Sequence, residues 1–194
     1  MGGRNLVLNS NFADGLTNWR NWGSATGTRR TTTITDLAGF TTGFYFSADS
    51  TGEWGYAQDN VSVIKDETYI LTAWIRVTKG TGFVEVQEGN GAFGWTRTTY
   101  DVTNMIGKWI RISHKFTAKD SFTGVYVGQA TSSGFCSADV TGIKLEKGNK
   151  ATDWTPAPED QATQSQISQL ANDINLRVKK GDVINQINIS TEGI

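Results

Sequence analysis

The stretch from Tyr69 to Val77 constrains this chain more than any other. Tyr69, Leu71, Ala73, Ile75 and Val77 share one parity, while Thr72, Trp74 and Arg76 share the other. An apolar set at every second position belongs on one face of a strand, because successive side chains point to opposite sides of the backbone. Lys79-Gly80-Thr81-Gly82 ends that strand, Phe83-Val84-Glu85-Val86-Gln87 starts the next, and Gly89-Asn90-Gly91 turns the chain again. Trp109 to Phe116 alternates in the same way, and Leu6-Val7-Leu8, Gly124 to Gly128 and Thr141 to Leu145 read as shorter strands. The 22 glycines and two prolines suit short antiparallel strands joined by turns, as in a sandwich or barrel. No stretch before residue 160 sustains a helical period.

The remaining composition excludes several classes. Cys136 is the only cysteine, so no intrachain disulfide forms. A net charge of -1 argues against nucleic acid or an anionic membrane as partner. No apolar run approaches a membrane span, and no signal-peptide pattern opens the chain. Seven tryptophans exceed what such a core needs, so some are expected at the surface.

The pattern changes at Thr155-Pro156-Ala157-Pro158, a stiff joint that a sheet does not tolerate. Glu159 and Asp160 suit a helix N-terminus. Ile167, Leu170, Ala171, Ile174 and Val178 then recur at helical spacing up to Gly181. One narrow apolar seam makes a poor solitary helix, so the segment either joins copies of itself or packs back on the sandwich. The expected organisation is a leader or linker over 1–4, a β-sandwich over 5–148, a Pro-containing linker over 149–160, a helical stalk over 161–180, and the start of a further region over 181–194.

Two resemblances add to this. Asn5-Leu6-Val7-Leu8-Asn9-Ser10-Asn11-Phe12 followed by Gly15-Leu16-Thr17-Asn18-Trp19 resembles the opening of jelly-roll carbohydrate-binding modules of the family four and nine type. Thr68 to Arg76, Lys108 to Ala118 and Ala138-Asp139-Val140 resemble their later strands. The resemblance implies an all-β, antiparallel jelly-roll sandwich over residues 5–146. Separately, Ile143 to Asp160, Leu176 to Asn188 and Glu192-Gly193-Ile194 are similar to a junction in tail proteins of siphophages of Gram-positive bacteria. That similarity implies a coiled-coil, trimeric stalk leading into a fibre, other tail proteins as partners, and a place at the virion's tail tip or baseplate.

Strand parity sorts the candidate residues. Trp74 and Arg76, Glu85 and Gln87, Arg111 and Tyr126 all take the non-core parity. An aromatic ring beside planar hydrogen-bonding groups suits a pyranose, whose C–H face stacks while its hydroxyls are held. An ordinary solvated face has the same pattern. Trp54 and Trp95 lie in glycine-loosened loops. The module resemblance implies that Trp54 edges a sugar cleft, with Trp22 at the same end. A loop tryptophan can equally plug the sandwich. Trp19 and Trp154 read as structural and Trp109 as packing.

Catalysis has little support in the sequence. His114, the only histidine, shares parity with Ile110 and Ile112 and reads as a core-edge residue. No Cys/His cluster or phosphate-binding glycine motif is present. Glu53, Glu85 and Glu88 cannot be paired from sequence alone, which keeps a glycoside-cleaving domain as a third reading. The expectation is no cofactor, although the resemblance implies an optional structural calcium, with Asp139 in the late position and Asp14 substituting early. The leading expectation is non-catalytic binding of host cell-wall polysaccharide by a phage tail. The alternative is a jelly-roll spacer that binds nothing.

Overall fold

The computed structural model describes residues 2–161. Ten strands form two five-stranded antiparallel sheets. In chain order they are β1 (Arg20–Trp22), β2 (Gly27–Thr33), β3 (Thr42–Ala48), β4 (Trp54–Ser62), β5 (Thr68–Gly80), β6 (Phe83–Asn90), β7 (Gly94–Asp101), β8 (Trp109–Thr117), β9 (Phe122–Gln129) and β10 (Cys136–Lys147). Sheet I runs β1-β4-β9-β6-β7 and sheet II runs β2-β3-β10-β5-β8. The expected antiparallel β-sandwich is present.

The alternation in β5 has the expected consequence. Tyr69, Leu71, Ala73, Ile75 and Val77 are all buried between the sheets, with Ile112 of β8, Val84 and Val86 of β6, and Val125 and Val127 of β9. Phe44, Phe46 and Tyr56 complete the core's aromatic part, with the Phe44 ring edge-on to Tyr56 at 4.9 Å. Each such side chain removed from water contributes roughly 1.5–3 kcal/mol before entropy is counted.

Leu6-Val7-Leu8 is not a strand. Side chains take the place of a ladder here. The amide of Gln58 accepts from Leu8 N and donates to Leu8 O, both at 2.9 Å, as a neighbouring backbone would. Asn5, fully buried, donates to the carbonyls of Ile143 (3.0 Å) and Thr155 (2.9 Å) and accepts from Val7 N and Leu145 N. Trp19 donates to Asn9 O and stacks on Phe12, so the expectation of a structural role holds.

His114 lies between the sheets, as expected of a core-edge residue. Its Nε2 is 2.8 Å from Thr96 Oγ1 and its Nδ1 is 2.8 Å from Thr98 Oγ1. Thr96 donates its single proton to Glu88, so it accepts from Nε2–H, and Nδ1 accepts from Thr98. Burial, and to a lesser degree Arg97, holds the imidazole below its ordinary range.

The chain divides after Ala157. Residues 149–157, expected as a linker, belong to the sandwich unit. Of the second unit, residues 158–161 are helical. The apolar seam at Ile167, Leu170, Ala171, Ile174 and Val178, and the region 181–194, lie outside the described residues.

Candidate functional site

The residues with outward parity divide between two sheets, and therefore between opposite faces of the molecule. Trp74 and Arg76 on β5 and Arg111 on β8 face outward from sheet II. Glu85 and Gln87 on β6 and Tyr126 on β9 face outward from sheet I. The single six-residue face expected from the sequence does not exist. Parity states that a side chain points away from the core, and only strand order states which side of the core that is.

The outer face of sheet II is covered by the chain itself. Arg76 pairs with Asp139 at 2.9 Å and with Asp36, its guanidinium lies 4.9 Å from the Trp109 ring centre, and Trp109 Nε1 donates to Asp36 at 3.0 Å. Lys144, fully buried, donates to Asp153 O at 2.8 Å and Thr152 Oγ1 at 3.0 Å, with Glu146 at 3.8 Å. Phe40 meets Trp154 edge-on at 5.1 Å, and Trp154 Nε1 donates to Ser10. Arg111 donates to Thr72, itself buried. The segments 34–41 and 149–157 therefore reach across this face to Arg76, Trp109 and Lys144, and Trp74, Arg76 and Arg111 are each partly buried there.

Trp54 is structural. Its ring belongs to the buried core, its Nε1 donates to Thr28 O at 3.0 Å, and the Arg29 guanidinium sits 3.6 Å from its centre. The residue starts β4 with inward parity, so it plugs the sandwich end rather than edging a cleft.

Sheet I is built differently. Directly paired positions on its outer face form rows across the strands. One row reads Trp22, Gly55, Gly128, Glu85, Thr99. The next reads Arg20, Ala57, Tyr126, Gln87, Arg97. The third ends on Gly124, Gly89, Trp95. The middle of the first and third rows is thus glycine, while Tyr126 stands at the centre of the second. Gly55 and Gly128 cannot carry side chains, since a Cβ would lie 2.1 Å from Val127 O and 2.2 Å from Trp54 O respectively. Edge-strand side chains lean in over central ones. Trp22 lies 5.3 Å from Tyr126, the Arg20 guanidinium lies 5.7 Å from the same ring, and Trp95 Nε1 donates to Tyr126 Oη at 3.2 Å. Trp95 remains 49% exposed, an unusual state for an indole on a sheet face.

The polar groups sit beneath. Arg97 Nε donates to Gln87 Oε1 at 2.7 Å and lies 3.3 Å from Glu85 Oε1. Glu85 is 1% exposed, and among the described residues neither of its carboxylate oxygens accepts a hydrogen bond from a nitrogen or hydroxyl. Burial first, and then the contact and charge of Glu53, push its carboxyl up to about 8, against the pull of Arg97. Burial beside a second acid thus favours the neutral form of Glu85 at neutral pH. Glu88, the third acid, faces inward and accepts from Thr96 and Thr123.

The carbohydrate-binding domain family matches residues 4–132. The chain belongs to that family. No curated protein matches it. The carbohydrate-binding fold recurs in solved structures of low identity. A CBM22-1 xylan-binding domain from Paenibacillus barcinonensis Xyn10C has a TM-score of 0.56 at 12% identity, covering 77% of this chain and 98% of that one. TmCBM61 in complex with β-1,4-galactotriose has a TM-score of 0.53 at 14% identity, covering 75% and 99%. The enzymatically active domain of bacteriophage CBA120 tailspike protein 4 has a TM-score of 0.57 at 12% identity, covering 74% of this chain and only 21% of that one.

Of the expected site residues, the domain brings Glu85, Gln87, Trp95 and Tyr126 together on sheet I, and adds Arg97, Glu53, Arg20 and the half-buried Trp22. The missed signal was the glycine at positions 55 and 128 within strands, which marks a close approach of backbone. Calcium does not fit the expected residues. The carboxylate of Asp139 is already paired with Arg76, and Asp14 is exposed in a turn whose backbone is held by Asn9. Among the described residues no three acidic, histidine or cysteine side chains converge.

Proposed function

We propose that this domain binds a saccharide chain without cleaving it, on the outer face of sheet I. The observation that carries the reading is the row from Trp22 across Gly55 and Gly128 to Glu85, flanked by Tyr126 and Trp95. Aromatic rings beside a floor without side chains offer stacking surface for a pyranose, and Gln87, Arg97 and the carboxyl pair offer hydroxyl partners. A glycoside-cleaving role is disfavoured by the Glu53–Glu85 contact. Hydrolysis needs carboxyls about 5 Å or more apart to flank the bond being broken.

The domain serves as the host-adhesion module of a phage tail, with cell-wall polysaccharide of a Gram-positive host as its ligand. This part rests on the sequence similarity of residues 143–160, 176–188 and 192–194 to siphophage tail junctions. A stalk over residues 161–180 would assemble three copies and raise a weak single-site affinity by avidity. Titration with purified wall polysaccharide, with the Trp22→Ala variant beside it, tests the binding. No binding heat from the parent would favour the spacer reading, and equal heats from parent and variant would move the site away from Trp22. Sedimentation of the whole chain against one ended at Gln161 tests the trimer, and two monomers would remove the stalk.

A further inference from the structure

The exposed large apolar side chains are not scattered. Ile64, Phe93, Trp95 and Phe122 gather at one end of the sandwich, where the β4–β5 loop, the β6–β7 hairpin and the β8–β9 loop meet. Val63 N donates to Ser121 O at 3.0 Å and joins the first of these loops to the last. Between the hairpin and the β8–β9 loop lies a cleft with Phe93 and Phe122 on its two sides, 55% and 37% exposed. Its floor carries Glu88, Thr96 and Thr123, whose inward parity places them at the end of the space between the sheets. Single exposed apolar residues are ordinary, but several gathered around a concave surface mark a binding site. We propose that this cleft is a second saccharide site, separate from the face of sheet I, and that it takes the neutral terminal pyranose of a chain.

One side chain fixes the two walls relative to each other. Asn90 Nδ2 donates to Phe122 O at 3.0 Å and to Asp120 Oδ2 at 3.2 Å, and Asn90 Oδ1 accepts from Ala92 N and Phe93 N, both at 3.0 Å. The backbone carrying both rings is therefore held before any ligand arrives, which lowers the ordering cost of binding. The rings offer apolar faces to the C–H side of a pyranose, and Asp120 offers acceptors to its hydroxyls. Asp120 is partly buried and accepts only from Asn90 and, at 2.7 Å, from Ser121 N among the bonds the structure shows. A carboxylate has about four acceptor positions, so two are left for a sugar. The floor is closed, because Glu88 accepts from Thr96 and, at 2.9 Å, from Thr123, and Thr96 is bonded in turn to His114. A chain cannot run through a blind cleft, so only its end unit enters. Asp120 and Glu88 face the single lysine Lys119, so a uronic acid or a phosphate-bearing sugar meets surplus negative charge. Trp95 stands between this cleft and Trp22. A Cβ on Gly89 would lie 2.5 Å from its Cδ1, and its Nε1 reaches Tyr126 Oη.

Amide chemical shifts of the whole chain, followed during titration with the methyl glycosides of glucose, galactose and N-acetylglucosamine, test the site. Methyl glucuronoside serves as the anionic counterpart. At least one neutral glycoside should shift the amides of residues 89–94 and 119–123, and the glucuronoside should shift them about tenfold more weakly. Phe93→Ala and Phe122→Ala should each weaken that response about tenfold. Both side chains are exposed, and thermal melting checks that the variants fold. Trp22→Ala strikes sheet I and should leave the cleft response in place. Shifts confined to the centre of sheet I, or none at the cleft from any of the three neutral glycosides, overturn the second site and leave the sheet I reading standing. Cleft shifts with a silent sheet I do the reverse. Equal response to the glucuronoside overturns the neutral assignment. Loss of the cleft response in Trp22→Ala overturns the separation of the two sites.

Discussion

The two outer faces of the sandwich are made of similar residues and end differently. Sheet II carries Trp74, Arg76, Trp109 and Arg111, and sheet I carries Trp22, Trp95, Arg97 and Tyr126. On sheet II the chain's own segments reach Arg76, Trp109 and Lys144, while the Nε of Arg76 and of Arg111 has no hydrogen-bond partner among the described residues. Asp36 reaches Arg76 and Trp109, and residues 152–154 reach Lys144 and Ser10. On sheet I the side chains of the edge strands lean over a buried, glycine-lined centre, and among the described residues the Glu85 carboxyl accepts no hydrogen bond from a nitrogen or hydroxyl.

The largest effect should come from the closed side. Asn5→Ala removes an amide that serves two carbonyls and two backbone N–H groups, all deeply placed. It should cost roughly 3 kcal/mol or more, because each group left unsatisfied costs about 1–3 kcal/mol. Denaturant unfolding measures it, and a loss under about 1 kcal/mol would show that water replaces the amide.

Next in size is the contrast between tryptophans. Trp22→Ala and Trp95→Ala should each weaken saccharide binding by about 1–3 kcal/mol with a small change in melting. Trp74→Ala should lower the melting temperature and leave the affinity of the folded protein unchanged. The reverse pattern would move the site to sheet II.

Two titrations of opposite sign sharpen the comparison further. Glu85 has its carboxyl raised from 4.5 to about 8, so its contribution to stability is present below pH 4.5 and is lost as pH rises toward 8. Glu85→Gln should therefore gain stability over the parent at pH 9 relative to pH 5. The His114 imidazole is depressed below 6.5, so its contribution is present above pH 6.5 and is lost as pH falls. His114→Gln should flatten the acid side of the stability curve. Melting temperatures from pH 4 to 9 separate the two, and a parent curve that moves only one way would contradict one assignment.

The smallest effect belongs to Arg20→Ala. It breaks an ion pair with Asp59 whose members are 48% and 42% exposed, worth less than about 1 kcal/mol. A larger loss would mean that Arg20 acts chiefly by packing on Tyr126.

The sequence by itself determined the class of fold, because parity is local. Tyr69, Leu71, Ala73, Ile75 and Val77 had to face a core, and Val84, Val86, Ile112, Val125 and Val127 had to meet them. It also marked Trp19 as structural and His114 as a core-edge residue, since both follow from neighbours in the same strand or turn. Tertiary structure alone decided which sheet each strand joined. That choice separated Trp74, Arg76 and Arg111 from Glu85, Gln87 and Tyr126, and sent Trp54 into the core. Side-chain direction is fixed by a residue's own backbone, but its company is fixed by hydrogen-bonded partners that lie tens of residues away.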